Sequence, residues 1–129
     1  MNFPPDPAPI KILNKTDTER ILIWGQTGQR IGVNFTGGPS TITWSKNSIP
    51  LNYGEKNVAM SSIYYGEVRE SFLTFVQPVR EDLAGNYTFT VSNEFGTDFL
   101  HINVTICEFF LEEGDVPIFF VFLNYGNST

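Results

Sequence analysis

His101 and Cys107 are the only histidine and the only cysteine in the chain, and together they could make a catalytic couple. A thiol acts as a nucleophile when a base lies within hydrogen-bond reach. The two stand six residues apart near one strand end and are read as lying on different faces, so no Cys–His pair is expected. Glu112, Glu113 and Asp115 flank Gly114 and offer oxygens to a hard cation. They lack the alternating loop spacing of a dedicated calcium site and read as a solvated turn. No phosphate-cradling glycine loop opens a helix. The expectation is a protein that is not an enzyme and uses no cofactor, metal or small-molecule substrate.

Chemistry of another kind is written five times. The sequon N-x-[ST] occurs at Asn14, Asn34, Asn86, Asn103 and Asn127, against roughly two by chance for such a motif in a chain of this composition. A glycan needs its asparagine at the surface of a secreted protein. The single cysteine points the other way, because small secreted domains lean on disulfides. Sequon number is given the greater weight, and the expected location is extracellular, at the cell surface. The alternative is cytoplasmic, in the sarcomere.

The elements that must position these residues follow from composition and pattern. With 129 residues, 41% hydrophobic and twelve Phe, the chain has the core material of one domain. A net charge of −6 argues against nucleic acid or an anionic membrane as the main partner. No signal stretch follows Met1, and no apolar run approaches the ~20 residues that span a bilayer. Residues 1–8 are proline-rich and read as an extended lead-in. Beyond them, short β-favouring runs alternate with turn clusters: IKIL at 10–13, ILIW at 21–24, RIGVNF at 30–35, TITWS at 41–45, VAMSSIYY at 58–65, SFLTFV at 71–76, NYTFTVSN at 86–93 and TDFLHINVTI at 97–106. NEFG at 93–96 is a hairpin turn. The pattern predicts an all-β sandwich of two sheets.

Trp44 after a Gly/Pro turn, Ile49-Pro50-Leu51, Leu73-Thr74-Phe75, and Asp82, Gly85 and Tyr87 leading to Val91-Ser92-Asn93 and Gly96 carry a resemblance. The stretch 9–106 resembles an immunoglobulin-superfamily domain of the I-set. The resemblance implies an antiparallel, Greek-key, immunoglobulin-like β-sandwich with Phe35, Trp44, Leu73, Phe75, Tyr87 and Phe89 in its core. It implies cysteines where Phe35 and Phe89 stand, so the usual intersheet disulfide is missing. A disulfide stabilises by ~2–4 kcal/mol and burial of one Phe by ~1.5–3 kcal/mol, so two facing aromatics can compensate. Asp82 lies five residues before Tyr87, one more than usual, with Leu83 the extra residue. Phe35 and Trp44 are only nine apart, which calls for a short turn between them.

Alternation places Asn34, Asn86 and Asn103 on solvent positions. The least shielded area is then the face of the sheet carrying Trp44 and Tyr87, and it would include Thr43, Ser45, Thr90, Ser92, Glu94 and Phe95. The expected function is an extracellular recognition or cell-adhesion module whose partner is a protein, with another copy of itself a candidate. The alternative is an intracellular structural I-set domain of a muscle or cytoskeletal protein, and an immune-modulating glycoprotein stays open beside both. Residues 107–129 hold two apolar runs about an EEGDVP turn. They read as a C-terminal extension, a hairpin or the start of a following segment, through which a homodimer could form. Cys107 at its base is a candidate link between chains.

Overall fold

The computed structural model describes residues 8–38, 40–52, 58–113 and 116–123, with side chains as far as Cys107. Its strands are β1 (Ala8–Ile12), β2 (Glu19–Ile23), β3 (Gln29–Gly38), β4 (Thr41–Lys46), β5 (Ile49–Pro50), β6 (Val58–Tyr65), β7 (Val68–Phe75), β8 (Gly85–Asn93), β9 (Gly96–Glu113) and β10 (Val116–Leu123). One sheet has the order β1-β3-β7-β6 and the other β10-β9-β8-β4-β5, with β2 paired to β9. The β2–β9 pairing is parallel, and the others are antiparallel.

Alternation in the sequence becomes layering in space. Ile31, Val33 and Phe35 of β3 face inward, as do Tyr87, Phe89 and Val91 of β8 and Leu100, Ile102, Val104 and Ile106 of β9. Phe35, Trp44, Leu73, Phe75, Tyr87 and Phe89 all lie in this core, none more than 2% exposed. Phe89 is its hub. Its ring centroid is 5.7 Å from that of Phe35 on the facing sheet and 5.0 Å from that of Trp44 on its own. The Trp44 indole N–H donates to Ser71 Oγ at 3.3 Å, the partner a buried indole needs. Phe75 and Tyr87 make a second edge contact across the sheets, with centroids 5.8 Å apart.

The short turn between β3 and β4 depends on Gly37, whose φ is 98°. A Cβ there would lie 2.1 Å from the Pro9 carbonyl oxygen, so β1 crosses where only glycine fits. At the opposite end, the extra residue Leu83 is absorbed by a 3-10 turn, Glu81–Leu83, and packs on the core. The Tyr87 hydroxyl donates to the Leu83 carbonyl at 2.7 Å, and burial pushes the phenol's pKa up. Asn47, left-handed at φ 50°, accepts the Asn86 N–H at 3.0 Å and donates its own to the Asn86 carbonyl at 2.7 Å. The Lys46 ammonium donates to the Asp82 carbonyl, so Asp82 serves this corner through its backbone.

The boundary expected after Ile106 falls inside a strand, because β9 continues to Glu113 and pairs there with β10. β2 occupies one edge of β9 from Asn103 to Cys107, and the pairing of β8 along the other edge ends at Val104. β10 takes the edge that β8 leaves, so the hairpin prolongs the sheet beyond the sandwich.

A candidate protein-recognition face

The outer face of the six-stranded sheet is assembled from alternate residues of β4, β8 and β9. Registry sets them in rows. Thr43, Thr90 and Phe99 stand abreast, with Ser45, Thr88 and His101 beside them on one side and Thr41, Ser92 and Thr97 on the other. Thr43 and Phe99 are exposed, Phe99 to 53%, and Ser45, Thr90 and Ser92 are half-buried. Glu94 and Phe95 form the exposed tip of the β8–β9 hairpin, where the Phe95 N–H donates to Asn93 Oδ1 at 2.9 Å. Thr88 Oγ1 and His101 Nδ1 are 2.8 Å apart, and the Phe99 and His101 rings meet edge to face at 5.1 Å.

Phe99, His101 and Thr88 were not among the residues expected on this face. Alternation against Leu100 and Ile102 already turned Phe99 and His101 outward, and the β8–β9 register then sets them beside Thr90 and Thr88. Glu94 at the hairpin tip and Glu19, in register with Asn103, stand at the margins of the face, and the three rows hold no Asp, Glu, Lys or Arg. Asp98, between two of them, points the other way. Burial opposes its ionisation, but the Lys15 ammonium at 2.5 Å and the Ile12 and Phe99 N–H groups hold its pKa below the usual carboxylate value.

The outer face of the four-stranded sheet is built differently. One of its aromatics, Phe72, lies across Gly32, where a Cβ would stand 2.8 Å from the ring, and Arg30 covers it at 3.9 Å from the ring centroid. Phe72 is 6% exposed. That face covers Phe72 with a cation but leaves Tyr65, in register with Val68, 56% exposed at the β6–β7 turn end, so both outer faces present an open ring.

The sequons divide between the two sheets. Asn86 and Asn103 are direct cross-strand partners on the outer face, at the end near the Tyr87 corner. Asn86 is exposed, but Asn103 is half-buried, because β2 docks beside it and Nδ2 donates to Glu19 Oε2 at 3.0 Å. The solvent position expected for Asn103 is corrected to this extent. Asn34 lies half-buried on the four-stranded sheet opposite Glu70, and its N–H donates to Asn14 Oδ1 at 3.0 Å. Asn127 and the Glu112-Glu113-Gly114-Asp115 side chains lie outside the described residues.

His101 and Cys107 occupy positions of the same parity in β9, so they share a side of the sheet, contrary to expectation. Six residues of strand separate them by about 20 Å. His101 is exposed while Cys107 is fully buried, and they form no couple. Among the described residues, no group of three or more His, Cys, Asp or Glu side chains is placed to hold a metal ion.

No protein-family profile matches the sequence, and no curated protein does. Solved structures do. The tandem titin immunoglobulin domains A164-A165 superpose with a TM-score of 0.64 at 21% identity, over 80% of this chain and 51% of that one. A chain of the Dpr2 complex with DIP-Theta gives 0.66 at 19%, over 78% and 33%. The Dscam1 Ig7 domain gives 0.54 at 22%, over 76% and 96%. This chain thus spans about half of the titin tandem and a third of the Dpr2-complex chain. The chain therefore has an immunoglobulin-like β-sandwich fold, its two sheets joined by the packed rings of Phe35, Phe89 and Trp44 and by no disulfide, since it has a single cysteine.

Proposed function

We propose that this domain is an extracellular protein-recognition module that binds through the outer face of its six-stranded sheet. The observation that carries the reading is the middle of the face: rows of Ser and Thr without a charged residue, centred on an exposed Phe99, with Glu94 and Glu19 at its margins. Interface centres are depleted in charge and enriched in aromatics, and the polar residues around them exclude water. The expected contact residues are Thr43, Ser45, Thr90, Ser92, Glu94 and Phe95, with Phe99, His101 and Thr88 added to them. The sequons support an extracellular setting, with Asn86 the most accessible of those described. The Dpr2 complex and Dscam1 likenesses are compatible with such a role.

A specific observation favours a second reading, an intracellular structural link. The core needs no oxidised cysteine, Cys107 is buried, and several similar structures are titin domains. Intact mass after expression in a secreting eukaryotic cell separates the two. Glycan mass at Asn86 and at least one further sequon is the expected result, and an unglycosylated secreted chain would overturn the extracellular reading. For the face, a tetramerised domain should stain cells that display its partner. Thr90→Lys should abolish that staining while leaving the unfolding midpoint in place; undiminished staining would move the binding site elsewhere.

A further inference from the structure

We infer that β6 is a docking edge, and that it takes the β6 of a second copy in antiparallel pairing about a two-fold axis through Ser62. Sheets guard their edges with charge, proline or brevity, because an open edge invites another strand. The other edge strands described are guarded in this way. β1 carries Pro9 and Lys11, β2 carries Glu19 and Arg20, β5 has two residues, one of them Pro50, and β10 carries Pro117. β6 reads VAMSSIYY, with neither charge nor proline in its 8 residues, and stands at the end of its sheet. Its second half runs past the cover of the facing sheet. Ser62 and Tyr64 take the inner side beside buried Ser71 and half-buried Arg69, yet both are exposed, Tyr64 to 64%. Ile63 and Tyr65 are exposed on the outer side.

The backbone fixes the phase of the contact. A two-residue turn, Gly66-Glu67, joins β6 to β7, so the flanking Tyr65 and Val68 exchange both hydrogen bonds, as do alternate pairs behind them. Ala59, Ser61, Ile63 and Tyr65 therefore bond to β7, and Met60, Ser62 and Tyr64 turn their N–H and C=O groups to the open edge. These three are spaced symmetrically about Ser62. A second β6 laid antiparallel there bonds Ser62 to its own copy and Tyr64 to the copy's Met60. Side-chain size favours the same register. Ile63, Tyr64 and Tyr65, the bulky half of the strand, fall beside the copy's Ser61, Met60 and Ala59, and the Met60 thioether meets the Tyr64 ring. Arg69 already holds that ring, its guanidinium 4.3 Å from the centroid. The strand is its own complement. Pairing joins two four-stranded sheets into one and leaves the rows about Phe99 free, so it stands or falls apart from the proposed recognition face.

Sedimentation velocity of the full chain, from low micromolar to several hundred micromolar, tests this. A single strand pair is smaller than a standard interface, and the expected result is a weak, concentration-dependent dimer. Ser62→Pro should weaken it about tenfold or more, because main-chain bonds at the axis are lost. It should leave the unfolding midpoint near wild type, since that N–H takes no part in the β6–β7 ladder. Ser61→Pro should lower the midpoint instead, by removing a bond to Phe72. Ser62→Lys and Ser62→Glu should each be monomeric alone and should dimerise when mixed, because opposed charges then meet at the axis. Hydrogen exchange reads the phase directly: the amides of Met60, Ser62 and Tyr64 should slow as concentration rises, while those of Ser61 and Ile63 change little. A wild-type chain that stays monomeric overturns the inference, as does a mixture that stays monomeric. If Ser62→Pro rather than Ser61→Pro lowers the midpoint, the phase is reversed and the inference falls. A dimer that tolerates Ser62→Pro also overturns it; its loss on Phe120→Asp would assign association to the β9–β10 hairpin, and its loss on Thr90→Lys to the face about Phe99.

Discussion

Phe89 shows what one residue can do in place of a covalent bond. It reaches Phe35 across the two sheets and Trp44 within its own, and all three are fully buried. A disulfide at this position would act mainly on the unfolded chain, whereas the aromatic cluster acts on the folded state and is indifferent to redox conditions. Phe89→Ala removes the hub and leaves a cavity, at an expected cost of about 3–5 kcal/mol. Domains of this size are stable by ~5–15 kcal/mol. Urea unfolding should therefore show a greatly lowered midpoint, and a midpoint within experimental error of wild type would dismiss the cluster as the staple. The same measurement in reducing and oxidising buffer should give one curve for the wild type. Strand parity sets Phe35 and Phe89 inward, and the resemblance to immunoglobulin domains, not parity, marks them as standing where cysteines are usual.

At the scale of elements, β1 is tied to β9 by Asp98, which accepts from the Ile12 N–H and pairs with Lys15. The Asp98 carboxyl is held below its ordinary pKa in the folded chain. Its contribution to stability is therefore fully present above the unfolded value, ~3.9, and is lost as the pH falls through the lower folded value. Asp98→Asn should lower the unfolding midpoint at neutral pH, and the gap to wild type should narrow as the pH falls below the ordinary carboxylate value and through the lower folded one. A gap that stays constant with pH would show that the charge of Asp98 is not what matters. The turn between β3 and β4 makes a separate demand. Gly37→Ala sets a methyl against the Pro9 carbonyl at a positive φ. The expected loss is about 1–3 kcal/mol, as for other strained backbone positions. If thermal unfolding of this variant matches wild type, β1 does not hold its place over Gly37.

For the whole molecule, the distribution of charge decides more than its sum. The chain carries −6 overall, yet the rows of Thr43, Thr90 and Phe99 and of Ser45, Thr88 and His101 hold no Asp, Glu, Lys or Arg. Partner binding centred on those rows should weaken little between low and high salt. Staining of partner-bearing cells at several ionic strengths would show this; a steep loss of staining with salt would mean that charged surfaces make the contact.

The strand positions, the two-sheet class, the inward aromatics and the hairpin at NEFG were all set by local pattern, because alternation and turn chemistry act over a few residues. The sequons and the net charge could likewise be read directly. Tertiary structure decided what depends on distant segments meeting. β2 arrives parallel to β9 and half-buries Asn103, although alternation alone turns that residue outward. The β8–β9 register stands Phe99 beside Thr90 and His101 beside Thr88. That gathers scattered hydroxyls and one exposed ring into rows without a carboxylate, lysine or arginine. A strand's period says which side a residue takes, but only pairing says which residues stand next to it.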